Sequence, residues 1–202
     1  MTATLAPFGL RPIGTLGGGP VPAIRQYPIL STESTRICFG DVVKLTDAGA
    51  TTTIQKDTGT TTATPIGIFV GCRFTDLNSS QLTFSQQWSG AANTSGMAYV
   101  IDDPTVLFAI QADGAVIDDD LAANAALVQT ASSATLGISR VSLDISTAAT
   151  TNTLPLRIVD WLGGYDGDEY GTTYPVMVCR FNAGHQLSLI AAGSTATAPS
   201  AA

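Results

Sequence analysis

Charge is what this sequence has least of. Asp, Glu, Lys and Arg together make up 12% of its 202 residues, about half the share of an ordinary globular domain, and mean hydropathy is positive at +0.25. Basic residues are the scarcer sign: nine Lys and Arg against sixteen Asp and Glu leave a net charge of −7. Phosphate backbones are held by clustered cations, so nucleic acid is excluded as a direct partner. Histidine occurs once, at His185, which excludes a two-histidine metal site and forces any Ser-His-Asp or Cys-His chemistry through one residue. That residue ends the turn-like Asn182-Ala183-Gly184-His185, and no Gly-x-Ser-x-Gly elbow accompanies it, so it reads as a polar turn residue.

Cysteine is nearly as sparse. Cys38, Cys72 and Cys179 are odd in number and widely spaced, with no Cys-x-x-Cys pair, which excludes a disulfide framework and a zinc knuckle. Each sits in a strand-like context and reads as a small, inert core residue. No apolar run reaches the 18 or more residues that a spanning helix needs, so no membrane is expected as a partner. Pro7, Gly9, Pro12 and Gly14 interrupt the stretch where the apolar part of a signal peptide would lie, so no export signal is expected.

Short runs rich in β-branched and aromatic residues fill much of the chain. Ile37 to Leu45, Ile66 to Thr75, Leu82 to Gln86, Ala98 to Ile101, Val106 to Gln111, Gly137 to Ile145, Leu156 to Asp160, Val176 to Phe181 and Gln186 to Ile190 each have strand length and are bounded by Gly, Pro, Asp, Asn or Thr. The expected fold is all-β: an antiparallel sandwich or barrel-like core over residues 36–190. Only Asp118 to Leu127 invites a helix, with Asp at the cap and alanines after it, so at most one short helix or helical turn is expected. Residues 191–202 are small and polar and read as a flexible tail.

The first thirty-five residues differ from the rest. Pro7, Pro12, Pro20, Pro22 and Pro28, with Gly17-Gly18-Gly19 among them, exclude a helix and a central strand, because proline has no N–H for either ladder. The segment reads as a long extended arm over residues 1–35. It is too apolar for a solvated tail, so Phe8, Leu10, Arg11, Ile13, Val21 and Ile24 are its candidate partner-binding residues.

Candidate chemistry thins out under inspection. Asp166-Gly167-Asp168-Glu169-Tyr170-Gly171 begins like a calcium loop, but Tyr170 takes the fifth position and Met177 the twelfth, where Glu belongs. Asp102-Asp103-Pro104 between two apolar runs has the chemistry of a turn rather than of an acid/base pair. Gly14 and Gly17 to Gly19 lack the Gly-Lys-Ser/Thr of a phosphate loop. The sequence therefore offers no catalytic, cofactor-binding or metal residues, and no cofactor.

Taken together, Ala6-Pro7-Phe8-Gly9-Leu10-Arg11-Pro12, Ile66 to Cys72, Ala98 to Pro104 running into Val106 to Gly114, Leu154 to Ile158 and Phe181 to Gln186 resemble virion structural proteins of tailed bacteriophages. The set is similar to the capsid cement, or decoration, proteins of marine and freshwater phages. The resemblance implies a non-enzymatic protein, made in the host cytoplasm, that binds the outside of the major capsid protein shell and stabilises the DNA-filled head. It also implies a homo-oligomer, with a trimer favoured over a dimer because repeated arms interlock readily around a threefold axis. Two other readings stay open: another virion component, such as a tail or head-completion protein, and a carbohydrate-binding or hydrolase β-domain in which Trp88 and Trp161 stack on a ligand.

Overall fold

The β-branched and aromatic runs form strands throughout. A computed structural model describes residues 4–20, 24–47, 52–90, 94–183 and 185–186. The Pro-rich N-terminal segment contributes β1 (Arg11–Thr15) and β2 (Arg25–Ile29). Then follow β3 (Ile37–Cys38), β4 (Val42–Asp47), β5 (Thr52–Lys56), β6 (Gly67–Thr75), β7 (Leu82–Ser85), β8 (Gln87–Trp88) and β9 (Gly96–Ile101). Beyond the Asp102–Thr105 turn come β10 (Val106–Gln111), β11 (Asn124–Val128), β12 (Ser142–Ala149), β13 (Leu156–Trp161) and β14 (Val176–Phe181). Residues 187–190, part of one expected strand, and the tail at 191–202 lie outside the described residues.

The named strands pair antiparallel in three sheets. One has the order β1-β10-β14-β13-β11-β12, the second β2-β9-β6-β4-β5 with β7 added to the far end of β6, and the third is the pair β3-β8. In the first sheet Phe108 pairs with Cys179 and Ile110 with Met177, and the Phe108 and Phe181 rings meet at 5.1 Å. That sheet curls, because Ala112 bridges Leu143 in parallel and the Asp113 N–H reaches the Leu143 carbonyl at 3.0 Å, bringing β12 back toward β10. Two apolar clusters result. One fills the first sheet and takes Val42 and Ile68 from the second; the other sits under β2, β4, β6 and β9 around Phe69, Phe74 and Trp88.

The N-terminal segment is built into these sheets as their edges. β1 flanks β10 and β2 flanks β9, the one kind of position where Pro12 and Pro28 leave no interior ladder broken. Leu10 and Ile29 are fully buried and anchor the two strands. Gly9 is the pivot at the start. It has φ +76°, its N–H bonds to the Val141 carbonyl at 3.2 Å, and a Cβ there would lie 2.4 Å from the Ser139 Cβ. Only glycine suits that close approach.

The one helix-like stretch is helical only at its start. Asp118–Asp120 make a single 3-10 turn, whose Asp120 carboxylate accepts from the Ile117 N–H at 3.0 Å. The alanines beyond it become strand β11, with Asn124 to Leu127 all buried. Alanine's helix preference is worth a few tenths of a kcal/mol per residue over its competitors. Pairing and burial of this segment between β12 and β13 outweigh it.

Candidate functional site

The candidate partner-binding residues divide between inside and outside. Leu10 packs within the chain's own core and offers nothing to a partner. Phe8 is half-buried beneath Arg11, whose guanidinium lies 4.4 Å from the ring centroid, a cation–π contact that orders the strand entry. Ile13 and Ile24 face outward at 44% and 52% exposure, and the neighbouring Leu5 and Leu16 at 45% and 55%. Val21 lies outside the described residues. A second outward apolar group sits on the β6–β7 hairpin, where alternation along β7 turns Leu82 and Phe84 to one face at 58% and 66% exposure. Sequence reading named β7 as a strand; its exposed face emerges only from the position of the hairpin at the sheet's end.

Asp102 ties the N-terminal segment to the core. Its carboxylate accepts the Tyr27 hydroxyl at 2.5 Å and the Arg25 guanidinium at 3.2 Å, both from β2. Burial, and then the bond to Asp102, push the Tyr27 phenol above its ordinary value. The Asp102 carbonyl accepts from Gln186, and His185 binds the Ala63 carbonyl through Nδ1 at 2.8 Å. Asp103 accepts from the Thr105 hydroxyl and N–H. This carboxylate pair shapes a turn.

A polar centre that sequence reading missed lies at the floor of a cavity of about 560 Å³ lined by Lys56, Gln129 and Ser132 among others. Lys56 Nζ donates to Asp41 Oδ1 at 3.0 Å and to Ser132 Oγ at 2.7 Å. Ser132 Oγ lies 2.8 Å from Asp41 Oδ2, which also accepts the Cys38 N–H. The lysine side chain is 8% exposed and the aspartate 0%. A Ser-Lys pair does nucleophilic chemistry when the amine has a free lone pair. Here the ammonium and the hydroxyl both turn toward one buried carboxylate, so the arrangement is an internal clasp joining β5 to the loop after β11. The available signal was slight: Lys56 is one of only two lysines in the chain.

The remaining candidates are placed as follows. The three cysteines are free and buried. Desolvation pushes Cys72 up to about 12 and raises Cys38 and Cys179 as well, which disfavours the reactive thiolate. Trp88 and Trp161 are 0% and 1% exposed, so neither can stack on a sugar. Instead Tyr165 and Tyr170 are exposed above Trp161. Glu169 of the acidic loop accepts the Val176 N–H at 2.8 Å. Among the described residues no group of three or more His, Cys, Asp or Glu is placed to hold a metal ion, and no helix is long and apolar enough to cross a membrane. Compared with known proteins, the chain matches no family model, no curated protein and no solved structure.

Proposed function

We propose that this chain is a non-enzymatic capsid cement protein, binding the outside of a tailed-phage major capsid protein shell and stabilising the DNA-filled head. The observation that carries the reading is the outward exposure of four apolar side chains of the N-terminal segment, Leu5, Ile13, Leu16 and Ile24, in a chain with only 12% charged residues. Ile13 lies on edge strand β1, and Leu16 and Ile24 directly flank β1 and β2, so these side chains are offered where another protein can add to the sheet edges. The edge positions of β1 and β2 support an outward-facing contact segment over residues 1–35, and the bridge from Ala112 to Leu143 supports a barrel-like core. Copies of the protein assemble as a homo-oligomer, a trimer rather than a dimer, on the outer capsid surface.

The test uses point substitutions, because deleting the segment would also remove Leu10 from the core. Particles assembled with Ile13→Asp/Ile24→Asp protein should retain roughly tenfold fewer copies per shell subunit, as expected for loss of buried apolar anchors, while the circular dichroism of the free protein stays unchanged. Full occupancy by that variant overturns the reading.

A further inference from the structure

The 3-10 turn and the loop after β13 meet in an acidic, aromatic hollow. The rings of Trp161, Tyr165 and Tyr170 contact one another pairwise at 5.0 to 5.2 Å. Tyr165 and Tyr170 are 53% and 43% exposed, whereas Trp161 is buried and its indole N–H has no acceptor. Beside Tyr170 opens a cavity of about 450 Å³ lined by Val116, Ile117, Asp118, Asp119, Tyr170 and Gly171. Seven of the sixteen acidic residues fall at 118–120 and 160–169, while segments 112–139 and 158–179 contain no Lys or Arg. Neither ion pair among the described residues involves these acids.

The polar side chains that line this cavity, Asp118, Asp119 and Tyr170, can only accept. Carboxylates carry no donor, and the Tyr170 hydroxyl already donates to Asp118 at 3.2 Å. A sugar, whose hydroxyls both donate and accept, would find half its needs unmet; a guanidinium is donor-only and stacks on aromatic faces. The chain holds its own example of the match. Asp102 accepts a tyrosine hydroxyl and also an arginine, Arg25. Asp118 has the tyrosine and lacks the arginine.

We infer that the hollow formed by Asp118, Asp119 and Tyr170 takes an arginine side chain presented by a different protein chain. The guanidinium pairs with the two carboxylates and lies against an exposed tyrosine face. This site is separate from the exposed apolar side chains of the N-terminal segment and does not depend on a capsid shell being the partner.

Calorimetric titration of the full chain with the peptide acetyl-Gly-Arg-Gly-Arg-Gly-amide tests the inference. Binding should be measurable, weaken with added salt, and fall roughly tenfold in Asp118→Asn/Asp119→Asn protein, as for loss of charge-assisted bonds. Tyr170→Leu should weaken it several-fold, and the same peptide with citrulline for arginine should not bind. Absence of binding, equal binding of the citrulline peptide, or indifference to the Asp118→Asn/Asp119→Asn change overturns the inference. So does binding of malto- or cello-oligosaccharides that is lost in Tyr170→Leu protein, which would make the hollow a glycan site. Self-association of the wild type that Asp118→Asn abolishes would assign the hollow to a second copy and likewise overturn it.

Discussion

Among the described residues two tyrosine hydroxyls donate to aspartates distant in sequence, Tyr27 to Asp102 and Tyr170 to Asp118, and the two pairs end differently. Asp102 is 5% exposed and is completed by Arg25 from the same chain. Asp118 is exposed, belongs to a run of three aspartates, and meets no cation. The first carboxylate is a fastener, because every group facing it comes from the protein itself. The second has the same local design without its third member. The Asp41–Lys56–Ser132 cluster resembles the first case and lies beside a cavity larger than the one at Tyr170. Cavity size therefore says little about where a partner binds; what distinguishes the two kinds of centre is whether their polar groups are already matched.

The largest effect that could break this comparison is expected at the fastener. Asp102→Ala leaves Tyr27 and Arg25 without their acceptor, and hydrogen bonds to a charged group contribute about 2 kcal/mol together with the penalty for the orphaned donor. A fall of roughly 4–8 °C in Tm follows for a domain of this size. Asp118→Ala should leave the thermal midpoint unchanged, since its partners are at the surface. Calorimetry of both variants decides the matter, and equal destabilisation would show that the two sites are the same kind of structure.

The sequence made one of these sites far more legible than the other. Strand patterns placed β6, β10 and β14 almost to the residue, because Ile66 to Thr75, Val106 to Gln111 and Val176 to Phe181 are dense in residues that suit a pleated, buried surface. Asp102-Asp103-Pro104 was readable as a turn for the same local reason. Its role in holding β2 was not, because Arg25 and Tyr27 lie 77 and 75 residues away. β1 and β2 were hidden by their prolines, which rule out central strands but not edges. β11 was hidden by alanine, whose intrinsic preference points to helix while its small volume suits a tight interior. The acidic loop looked like a failed calcium site; only the fold brings Tyr170 to Asp118, 52 residues away.

A middle-sized effect separates the two tryptophans. Trp88 Nε1 donates to the Glu33 carbonyl at 2.9 Å and its ring meets Phe74 edge-on at 5.6 Å. Trp161 is equally buried, but its N–H has no acceptor. Replacement by Phe removes indole volume at both positions, and only at Trp88 does it also remove a buried hydrogen bond. Trp88→Phe should therefore cost about 1 kcal/mol more than Trp161→Phe. Urea denaturation of the two variants measures the difference. A larger loss at Trp161 would mean that its indole N–H is matched after all.

The smallest expected effect is on the alkaline side and sharpens the comparison chemically. Both phenols lie above their ordinary value of 10.0, Tyr27 chiefly through burial and Tyr170 chiefly through its bond to Asp118. A phenol whose folded value is raised loses its proton first in the unfolded chain. Its contribution to stability is therefore complete below the ordinary value and disappears as pH climbs through the folded one. Ultraviolet titration at alkaline pH should show a late-ionising step abolished by Tyr27→Phe and another abolished by Tyr170→Phe. They should part company on addition of the arginyl peptide. Arg25 already acts to lower Tyr27, so a guanidinium delivered to Asp118 should draw the Tyr170 step down while the Tyr27 step stays in place. Movement of the Tyr27 step instead would place the peptide at β2, and the distinction between a completed carboxylate and an open one would fail.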